Sequence, residues 1–404
     1  MKTLIISENK YPSNRPMLIS LWNQEFKSRG NKVYWIFRSD KNTESICKTV
    51  WNNSLVFLLP NVDKLKYGFM GRFVFLIKDI WLKYKLSSLL IKKYEIDIMH
   101  CHDTCFEGLV AYFNKIRLGT NISFGYTAPF IEMKKEVAFN YKGIKYINRY
   151  LWYLLIRTTY SFIFKKSDLV FPISESLGSK IKKEYNLSND KVLAVGECAS
   201  ELFLSKEKVF NPDKKIFDII YVGSIFQNRK LDVLIRSFKT VLDEIPNINL
   251  IFLGWSNVPS DIDNLKSLAT RLGILDKIQF LGLRPYNEVP DIILNCDVGI
   301  SPIPPTDIFI DSTPTKAVEY LSLGIPVVAN REIPDQRYLL EKSGGGILVD
   351  YSSKSFAEGI LKLIRNPRKS FDKGMRGKSW ISKNRTFKSM SQKIEKKYLE
   401  TIRN

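Results

Sequence analysis

The stretch Asp311-Ser-Thr-Pro-Thr-Lys-Ala-Val-Glu319 continues as Tyr320-Leu-Ser-Leu-Gly-Ile-Pro-Val-Val-Ala329. Its pattern predicts a polar loop, an apolar helix and a short buried strand, as in an α/β sheet. Asp311 and Glu319, which begin and end the first of these two stretches, are carboxylates eight positions apart. A loop that opens a helix presents free backbone N–H groups to an anion. Because carboxylates on either side suit polyhydroxyl groups, the stretch predicts a site for a sugar joined to a diphosphate.

The alternation of strand and helix extends over the C-terminal half. The predicted strands are Phe217–Val222, Asn249–Gly254, Lys277–Leu281, Asp297–Ile300, Ile325–Ala329 and Gly346–Val349. The predicted helices are Lys230–Glu244, Ser260–Leu272, Glu288–Asn295, Thr315–Leu323 and a basic tail over Lys388–Arg403. A capping box, Ser355-Phe-Ala-Glu358, is predicted to open a further late helix. Short apolar strands separated by helices are typical of a parallel, helix-covered sheet.

The N-terminal half carries a second alternation. Its predicted elements are a helix over Pro16–Arg29 and strands over Met1–Ser7, Lys32–Phe37, Glu95–Met99, Asn121–Tyr126 and Asp168–Pro172. The polar, lysine-rich stretch Leu204–Lys215 is predicted to be a linker. We therefore expect an α/β fold of two doubly wound, Rossmann-like domains, 1–203 and 216–387, facing an interdomain cleft. The remaining residues, 388–404, are expected to pack back toward the N-terminal domain. A ligand would lie between the carboxyl ends of the two sets of strands.

The excess of basic over acidic residues indicates what kind of partner the protein binds. The 404 residues include 62 Lys and Arg against 41 Asp and Glu, a formal net charge of +21. This excess indicates an anionic partner, such as nucleic acid, a membrane surface or a phosphorylated substrate, unless it is only a solvated lysine-rich surface. Five dispersed cysteines favour a reducing cytoplasm, and no signal peptide or spanning segment is predicted. The group at His100, Cys101, His102 and Cys105 lacks a second ligand pair, so we expect no metal.

A second candidate site is Tyr221-Val-Gly-Ser-Ile-Phe-Gln-Asn-Arg-Lys-Leu-Asp232. A predicted strand ends at Gly223, where a glycine permits close approach of the backbone. Arg229 and Lys230 stand at the start of the next helix, where the helix dipole disfavours cations. Their placement there favours a bound anion, and both can neutralise a diphosphate leaving group.

Together these motifs resemble the donor domain of family 4 glycosyltransferases, group 1 type, which are retaining enzymes of the GT-B fold. The family signature Glu-x7-Glu corresponds to Asp311…Glu319, and its continuation Glu-Tyr-Leu-x-x-Gly-x-Pro-Val-Val-Ala follows directly. Gly223 through Arg229 matches the family's glycine loop and basic residue. The other matching segments are Gln279–Gly282, Asn287–Pro290, Asp97–Asp103 and Ser167–Glu175, so the resemblance covers nearly the whole chain.

The resemblance implies roles for particular residues. Glu319 would bind the donor ribose, Arg229 the diphosphate and Asp311 the transferred sugar, and these three are the expected catalytic residues. Lys316 is a further candidate for phosphate neutralisation. The expected donor-binding residues are Gly223, Ser224, Arg229, Lys230, Gly254, Leu283, Ser312, Thr313, Pro314, Thr315, Lys316 and Glu319. The donor would be a nucleotide sugar, UDP- or GDP-linked, and no cofactor or metal is implied.

Three departures from the family pattern bear on catalysis. Asp311 is one methylene shorter than glutamate, and Ser224 stands where many relatives have arginine. The histidine often found after the fourth N-terminal strand is absent, since that stretch is Phe124-Gly-Tyr-Thr-Ala-Pro129. Either Tyr126 or Thr127 contributes there, or the acceptor is positioned differently, or catalysis is weakened. The acceptor-side candidates are His102, Asp103, Tyr126 and Thr127.

Two segments of the N-terminal half, Lys64–Lys85 and Tyr141–Arg157, mix cations with large aromatic residues. Basic, aromatic, amphipathic helices bind the interface of an anionic bilayer, although the same helices could simply pack on the sheet. In related enzymes this domain binds the acceptor, often a lipid-linked sugar.

We therefore expect a cytoplasmic glycosyltransferase, peripheral on the inner face of the plasma membrane. It would transfer a hexose-type sugar to a lipid-linked glycan of a capsule, lipopolysaccharide or other cell-surface polysaccharide. Two alternatives stay open, a non-catalytic subunit that binds nucleotide sugar or glycan and a sugar-nucleotide 2-epimerase of the same fold. An epimerase needs acid and base residues, which two histidines in the whole chain argue against. No nucleic-acid-binding motif is present, so a nucleic-acid partner is not expected.

Overall fold

The computed structural model of the protein describes residues 1–13, 15–41, 45–61 and 69–403. The chain divides into two compact units. The N-terminal unit comprises Met1–Gly196 and the C-terminal helix that begins at Phe387, and the C-terminal unit comprises Glu197–Thr386. The first residues of the predicted segment Lys64–Lys85 lie outside the described ranges.

The N-terminal unit is built on one sheet. Its described strands are β1 (Lys2–Tyr11), β2 (Lys32–Ser39), β3 (Cys47–Trp51), β4 (Ser54–Leu59), β5 (Ile98–His102), β6 (Asn121–Tyr126) and β7 (Leu169–Pro172). They follow the order β3-β4-β2-β1-β5-β6-β7, and every neighbouring pair is parallel except β3 with β4. The central strands are buried, as the predicted apolar runs require.

The helices of the N-terminal unit connect these strands. A π-helical segment, Met17–Glu25, continues as one α-helical turn, α1 (Phe26–Ser28), where a single helix is predicted. The others are α2 (Phe69–Tyr94), α3 (Cys105–Leu118), α4 (Phe130–Phe139), α5 (Gly143–Lys166) and α6 (Glu175–Tyr185). None of the described helices of the protein is long and apolar enough to span a membrane.

The hairpin of β3 and β4 is not among the predicted elements. Asn52 and Asn53 form its turn with φ angles of 51° and 61°, the left-handed conformation that tight hairpin turns require. Asparagine tolerates this conformation better than most residues, so the Asn-Asn pair just before the apolar run Ser54–Leu59 is the signal that could have located the hairpin.

The C-terminal unit has an all-parallel sheet. Its strands are β8 (Phe217–Val222), β9 (Ile248–Leu253), β10 (Ile278–Gly282), β11 (Val298–Ser301), β12 (Val327–Asn330) and β13 (Gly346–Val349). Their order is β10-β9-β8-β11-β12-β13, so the direction of winding reverses between β8 and β11. In such sheets the ligand lies outside the carboxyl ends of the strands at the point of reversal.

The helices of this unit agree with most of the predicted ones. They are α7 (Glu201–Leu204), α8 (Asp232–Glu244), α9 (Pro259–Arg271), α10 (Val289–Leu294), α11 (Thr315–Ser322), α12 (Pro334–Ser343), α13 (Ser353–Ile364) and α14 (Pro367–Asn384). The predicted capping box is wrong, because the cap of α13 is Ser352, whose hydroxyl accepts the N–H of Ser355 at 3.1 Å. The tail forms α15 (Phe387–Arg403) in the N-terminal unit, where it packs on the π-helical segment.

The predicted linker is attached to the C-terminal unit throughout much of its length. Phe203, just before it, is 1% exposed and packs in that unit's core. Lys208 donates its backbone N–H to the carbonyl of Leu323 at 2.8 Å and its ammonium to the carbonyls of Leu294 and Cys296. The division between the units accordingly lies at Gly196.

Candidate functional site

The two predicted site segments follow adjacent strands of the C-terminal sheet. The Gly223–Arg229 segment leaves the carboxyl end of β8, and the β11–α11 loop, residues 302–314, leaves the carboxyl end of β11. They meet where the guanidinium of Arg229 lies over the ring of Phe309, with its central carbon 4.3 Å from the ring centroid. The fold therefore brings the predicted cations and the predicted acids to one edge of the sheet.

Tyr320 fixes helix α11 on this edge. Its buried hydroxyl accepts the N–H of Val222 at 2.8 Å and donates to the carbonyl of Ile220 at 3.3 Å. Its ring lies so close to Gly299 that a β-carbon there would be only 2.3 Å from it. Because these contacts join α11 to both β8 and β11, the neighbouring Glu319 is held beside the end of β8.

Buried side chains shape the β11–α11 loop at its beginning. The amide of Asn330, at the end of β12, accepts the N–H of Ile303 at 2.9 Å and donates to its carbonyl at 3.0 Å. Gln336 donates to Asn330 and accepts the hydroxyl of Ser301 at 2.6 Å. Further along, the N–H and hydroxyl of Ser312 both donate to the carbonyl of Phe309, and Asp311 is 7% exposed.

Lys316 lies directly against the backbone of Gly223. A β-carbon at Gly223 would be 2.8 Å from Cε and 3.3 Å from Nζ of Lys316, and the φ of Gly223 is 136°. A β-carbon at Gly254 would in turn be 1.7 Å from the carbonyl oxygen of Gly223. Both glycines are thus needed for the close approach of this strand end to its neighbours.

The remaining residues of the basic segment differ in their exposure. Arg229 is half-buried and donates through Nε to the hydroxyl of Ser224 at 3.2 Å. Lys230 is exposed and adopts a left-handed φ of 48°, and its carbonyl accepts the hydroxyl of Tyr351 at 3.4 Å. Of the two predicted cations, Arg229 therefore lies over the β11–α11 loop, whereas Lys230 lies at the exposed end of the turn.

In the free protein, burial and like-charged neighbours disfavour the charged forms of Lys316 and Glu319. Burial lowers the pKa of Lys316 to about 7, and the nearby Arg229 adds to this effect by repulsion. Burial, together with the nearby carboxylate of Glu197, raises the pKa of Glu319 to about 8. An anion beside Lys316 and Arg229 would raise the pKa of Lys316 again, because it would favour the charged ammonium.

These shifts predict how stability depends on pH. Because its pKa is raised, Glu319 contributes stability below pH 4.5 that is lost as the pH rises through about 8. The lowered pKa of Lys316 acts in the opposite direction, increasing stability between about pH 7 and 10.5. Of these two groups only Glu319 acts between pH 5 and 7, so Glu319→Gln should flatten the pH dependence there by up to about 1 kcal/mol per pH unit.

Urea denaturation at pH 5, 6 and 7 measures this difference between the wild type and Glu319→Gln. Glu341→Gln, which changes an exposed carboxyl on α12, is the matched control and should keep the wild-type slope. A Glu319→Gln variant with an unchanged slope would contradict the raised pKa of Glu319.

A small pocket of about 140 Å³ opens at the carboxyl ends of β8, β9 and β10. It includes the predicted donor-binding residues Gly223, Ser224, Gly254 and Leu283. The ring of Trp255 borders it and packs edge-on against Phe226 at 5.6 Å. The structure thus places the end of the matching segment Gln279–Gly282 beside Gly223 and Ser224 of the predicted phosphate region.

A buried ion pair at the far end of the β11–α11 loop is not indicated by the sequence. Arg385 donates to both carboxylate oxygens of Asp335, at 2.8 and 2.7 Å, and to the hydroxyl of Thr313 at 2.7 Å. Thr313 itself donates to Asp335 at 2.7 Å. The Nε of Arg385 donates to the carbonyl of Glu197 at 2.9 Å. No local pattern relates these four residues, which are far apart in the chain.

The acceptor-side candidates form a cluster of their own in the N-terminal unit. Asp103 has a left-handed φ of 79°, and one carboxylate oxygen accepts the N–H of Thr127 at 3.0 Å and its hydroxyl at 2.5 Å. The other accepts Arg15 at 2.8 Å, and the carbonyl accepts the hydroxyl of Tyr160. Burial raises the pKa of Asp103, but His102 and Arg15 outweigh it and hold the pKa below its usual value.

The other two candidates are less accessible. His102 is 2% exposed, with Nε2 3.6 Å from the carboxylate of Asp103. Tyr126 is 1% exposed, and its hydroxyl accepts the N–H of Ile131 at 3.3 Å. Thr127 and Arg15 are the members of this cluster that reach the surface, and Arg15 is not among the predicted residues. Over the described ranges, no three His, Cys, Asp or Glu side chains group so that they could hold a metal ion.

Comparison with known proteins bears on both units. Residues 203–380 match the family "Glycosyl transferases group 1". This region includes the β8 and β11 ends, the cations and the acids described above. An uncharacterized glycosyltransferase of Haemophilus influenzae is 22% identical over 307 residues, which are 76% of this chain and 75% of that protein. The putative colanic acid biosynthesis glycosyltransferase WcaL of Escherichia coli is 23% identical over 47% of this chain and 46% of its own.

Solved structures match nearly the whole chain. A sucrose-phosphate synthase from Thermosynechococcus elongatus superposes with a TM-score of 0.74 at 14% identity, covering 99% of this chain and 98% of its own. Anabaena Alr3699/HepE, solved in complex with UDP-glucose, has a TM-score of 0.69 at 14% identity over 98% of each chain. The chain therefore has the GT-B fold, with two Rossmann-like parallel-sheet units, and the predicted fold class is confirmed.

Proposed function

We propose that the protein is a retaining glycosyltransferase that moves a sugar from a nucleotide diphosphate sugar to a glycan acceptor. The observation that carries the proposal is the placement of Lys316 against Gly223, next to Arg229, at the carboxyl end of β8. Two cations held together at the point of strand reversal are poised for an anion with more than one negative charge. The match of residues 203–380 to the group 1 family supports this assignment.

The chemistry follows from where charge develops. When the nucleoside diphosphate leaves, negative charge accumulates on its oxygens, and Arg229 and Lys316 stabilise it without moving. Glu319 accepts hydrogen bonds from the ribose, and Asp311 from the transferred sugar. Because the two cations supply the positive charge, we propose that the reaction needs no metal ion or other cofactor, so that activity should survive chelation with EDTA. The acceptor hydroxyl attacks the sugar carbon from the face that the diphosphate leaves, which retains the configuration, and its proton passes to the departing phosphate oxygen.

The donor can be identified by the stability of the purified protein. A bound ligand raises the melting temperature by mass action, and a concentration of about 100 times Kd adds about 2.7 kcal/mol. UDP-, GDP-, ADP- and CMP-sugars should therefore be compared in a thermal-shift assay. We expect a UDP- or GDP-sugar to stabilise the protein, and a UDP-sugar first, because a structural neighbour was solved with UDP-glucose. If none of the four classes shifts the melting temperature, the proposed function is wrong.

We further propose that helix α5 docks on an anionic membrane. One face of α5 packs inward through Tyr153, Ile156 and Tyr160. A second apolar stripe, at helical spacing, points to solvent through Ile144, Ile147, Leu151 and Leu155, which are between 46% and 69% exposed. Such an exposed stripe marks an interaction surface. Exposed cations flank its beginning at Lys142, Lys145 and Arg149.

Two other helices of the N-terminal unit, α4 and α2, also expose apolar side chains. On α4, Met133, Val137 and Phe139 are exposed, and α4 packs against α5. On α2, Ile77 and Trp81 are exposed, and Lys85 lies 3.7 Å from the centroid of the Trp81 ring. Apolar and aromatic groups among cations match an anionic lipid interface, where the rings enter the headgroup region and the cations meet the phosphates. We therefore favour a membrane as the occupant of this face.

Vesicle binding tests the docking surface. Replacing Lys142, Lys145 and Arg149 together by glutamate should weaken binding to vesicles with anionic lipid by about 10²-fold or more, since each juxtamembrane cation contributes about 1 kcal/mol. Ile144→Gln with Leu151→Gln should also reduce binding. Val209→Gln with Ile216→Gln, at exposed positions of the C-terminal unit, is the matched control. Wild-type protein that binds anionic and zwitterionic vesicles equally weakly in co-sedimentation would contradict a membrane partner.

Docking on a membrane agrees with an acceptor that is linked to a lipid. We propose that the enzyme works at the inner face of the plasma membrane, elongating a cell-surface polysaccharide such as a capsule or lipopolysaccharide chain. The relative WcaL is named for colanic acid biosynthesis, which is consistent with such a product. The cluster of Asp103, Thr127 and Arg15 is our candidate for binding the acceptor, because its polar groups are held in place by a strained, fully bonded aspartate.

A further inference from the structure

Two hydrogen bonds fix the side chain of Thr313. Its hydroxyl donates to the carboxylate of Asp335 and accepts from Arg385, each at 2.7 Å. Because Arg385 also holds Asp335 through two parallel hydrogen bonds, the three side chains form a closed ring. The side chains of Arg385 and Asp335 are only 12% and 16% exposed, so this ring is shielded from competing water.

Arg385 also holds the chain segment that enters the C-terminal unit. Its Nε donates to the carbonyl of Glu197, and its own carbonyl accepts the N–H of Ala199 at 2.9 Å. The carboxylate of Glu197 in turn lies near Glu319 and raises its pKa. One guanidinium thus connects the segment beside Glu319 with the end of the β11–α11 loop.

The rest of the β11–α11 loop has no regular secondary structure. It contains turns but neither strand nor helix, and Asn330 holds its beginning at Ile303. Thr313 lies at its end, between Asp311 and the start of α11 that bears Lys316. The ring around Thr313 therefore attaches the end of the loop, next to the residues that we assign to the sugar and the phosphate.

We propose that Arg385 and Asp335 are positioning residues, which hold the Thr313 hydroxyl and so keep the β11–α11 loop in the conformation that binds the diphosphate donor. This inference rests on the proposed function. Neither residue is required to touch the donor. Both act through Thr313, whose own hydroxyl is occupied by the protein rather than by the ligand.

Binding of UDP, measured by calorimetry, tests the proposal. Thr313→Val removes the hydroxyl at nearly constant shape, and Arg385→Lys keeps the charge but loses the forked hydrogen bonds. Each should raise the Kd for UDP roughly tenfold, as expected for hydrogen bonds to charged groups. Thr313→Ser, which keeps the hydroxyl, should recover most of the affinity that Thr313→Val loses. Arg365→Lys, at an exposed ion pair with Glu244, is the control for an arginine change in the same unit.

A double-mutant cycle separates positioning from direct contact. If both residues act through one ring, Thr313→Val with Arg385→Lys should bind no more weakly than the worse single variant. Losses that multiply would mean that Thr313 contacts the donor directly and would overturn the proposal, as would single variants that bind like the wild type. Should Arg385→Lys fail to fold, Asp335→Asn takes its place in the cycle.

Hydrogen exchange of the free protein gives a readout that needs no ligand. Thr313→Val and Arg385→Lys should speed amide exchange in residues 302–316 and leave the adjacent strands β11 and β12 unchanged. Unchanged exchange in the loop would overturn the positioning role even if UDP does not bind. If the wild-type protein binds no nucleotide sugar but the two variants exchange faster in the loop, the result would count against the proposed function alone.

Discussion

Arg229→Ala is expected to lower kcat for sugar transfer by about 10²- to 10³-fold, the usual loss when a preorganised donor to a developing negative charge is removed. Arg229 lies over Phe309 and donates to Ser224, so it is already in place before the donor binds. Arg229→Lys keeps a charge without the planar fork and should lose less. Initial rates with the donor identified by thermal shift provide the measurement.

The matched control for this change is Arg236→Ala, which removes an exposed arginine one turn into α8. It should retain full activity. The melting temperature of Arg229→Ala should stay close to that of the wild type, because its partners are half-exposed. Transfer rates in Arg229→Ala within a factor of three of the wild type would remove this residue from the mechanism and leave Lys316 as the main cation.

Glu319→Ala is expected to lower kcat/KM for the donor by about 10²-fold, since two hydrogen bonds between the ribose hydroxyls and its carboxyl group, each contributing about 1.5 kcal/mol, would be lost. Most of the loss should appear in KM, because the ribose is bound equally in the ground and transition states. Glu341→Ala, at an exposed carboxyl of the same unit, is the control.

The stability of the Glu319 variants separates function from structure. In the free protein Glu319 is disfavoured at pH 8, since burial and Glu197 oppose its charge. Glu319→Gln should therefore unfold at a higher temperature than the wild type at pH 8, while its donor affinity falls. A variant that loses both stability and affinity would indicate a structural carboxylate and would contradict the assignment.

The order of elements was predictable because hydrophobic period and turn residues are local properties. Strands β6, β8 and β13 begin and end at the predicted residues, and α8, α9 and α11 differ by one or two positions. The β3–β4 hairpin was missed because β3 is mostly exposed and mixes polar with apolar residues, so it lacks the alternation of a half-buried strand. The cap of α13 was misplaced because Ser352 and Ser355 both precede an apolar run, and only the backbone geometry distinguishes them.

By itself, the sequence determined the GT-B class and the two segments that meet at the donor site. Those properties depend on periodicity and on motifs whose members lie within a dozen residues of one another. Only the tertiary structure brought Arg385 and Asp335 to Thr313, Lys316 to Gly223, and Arg15 to Asp103. These pairs join residues far apart in the chain, and parallel sheets place such residues together at their carboxyl edges without leaving any local pattern in the sequence.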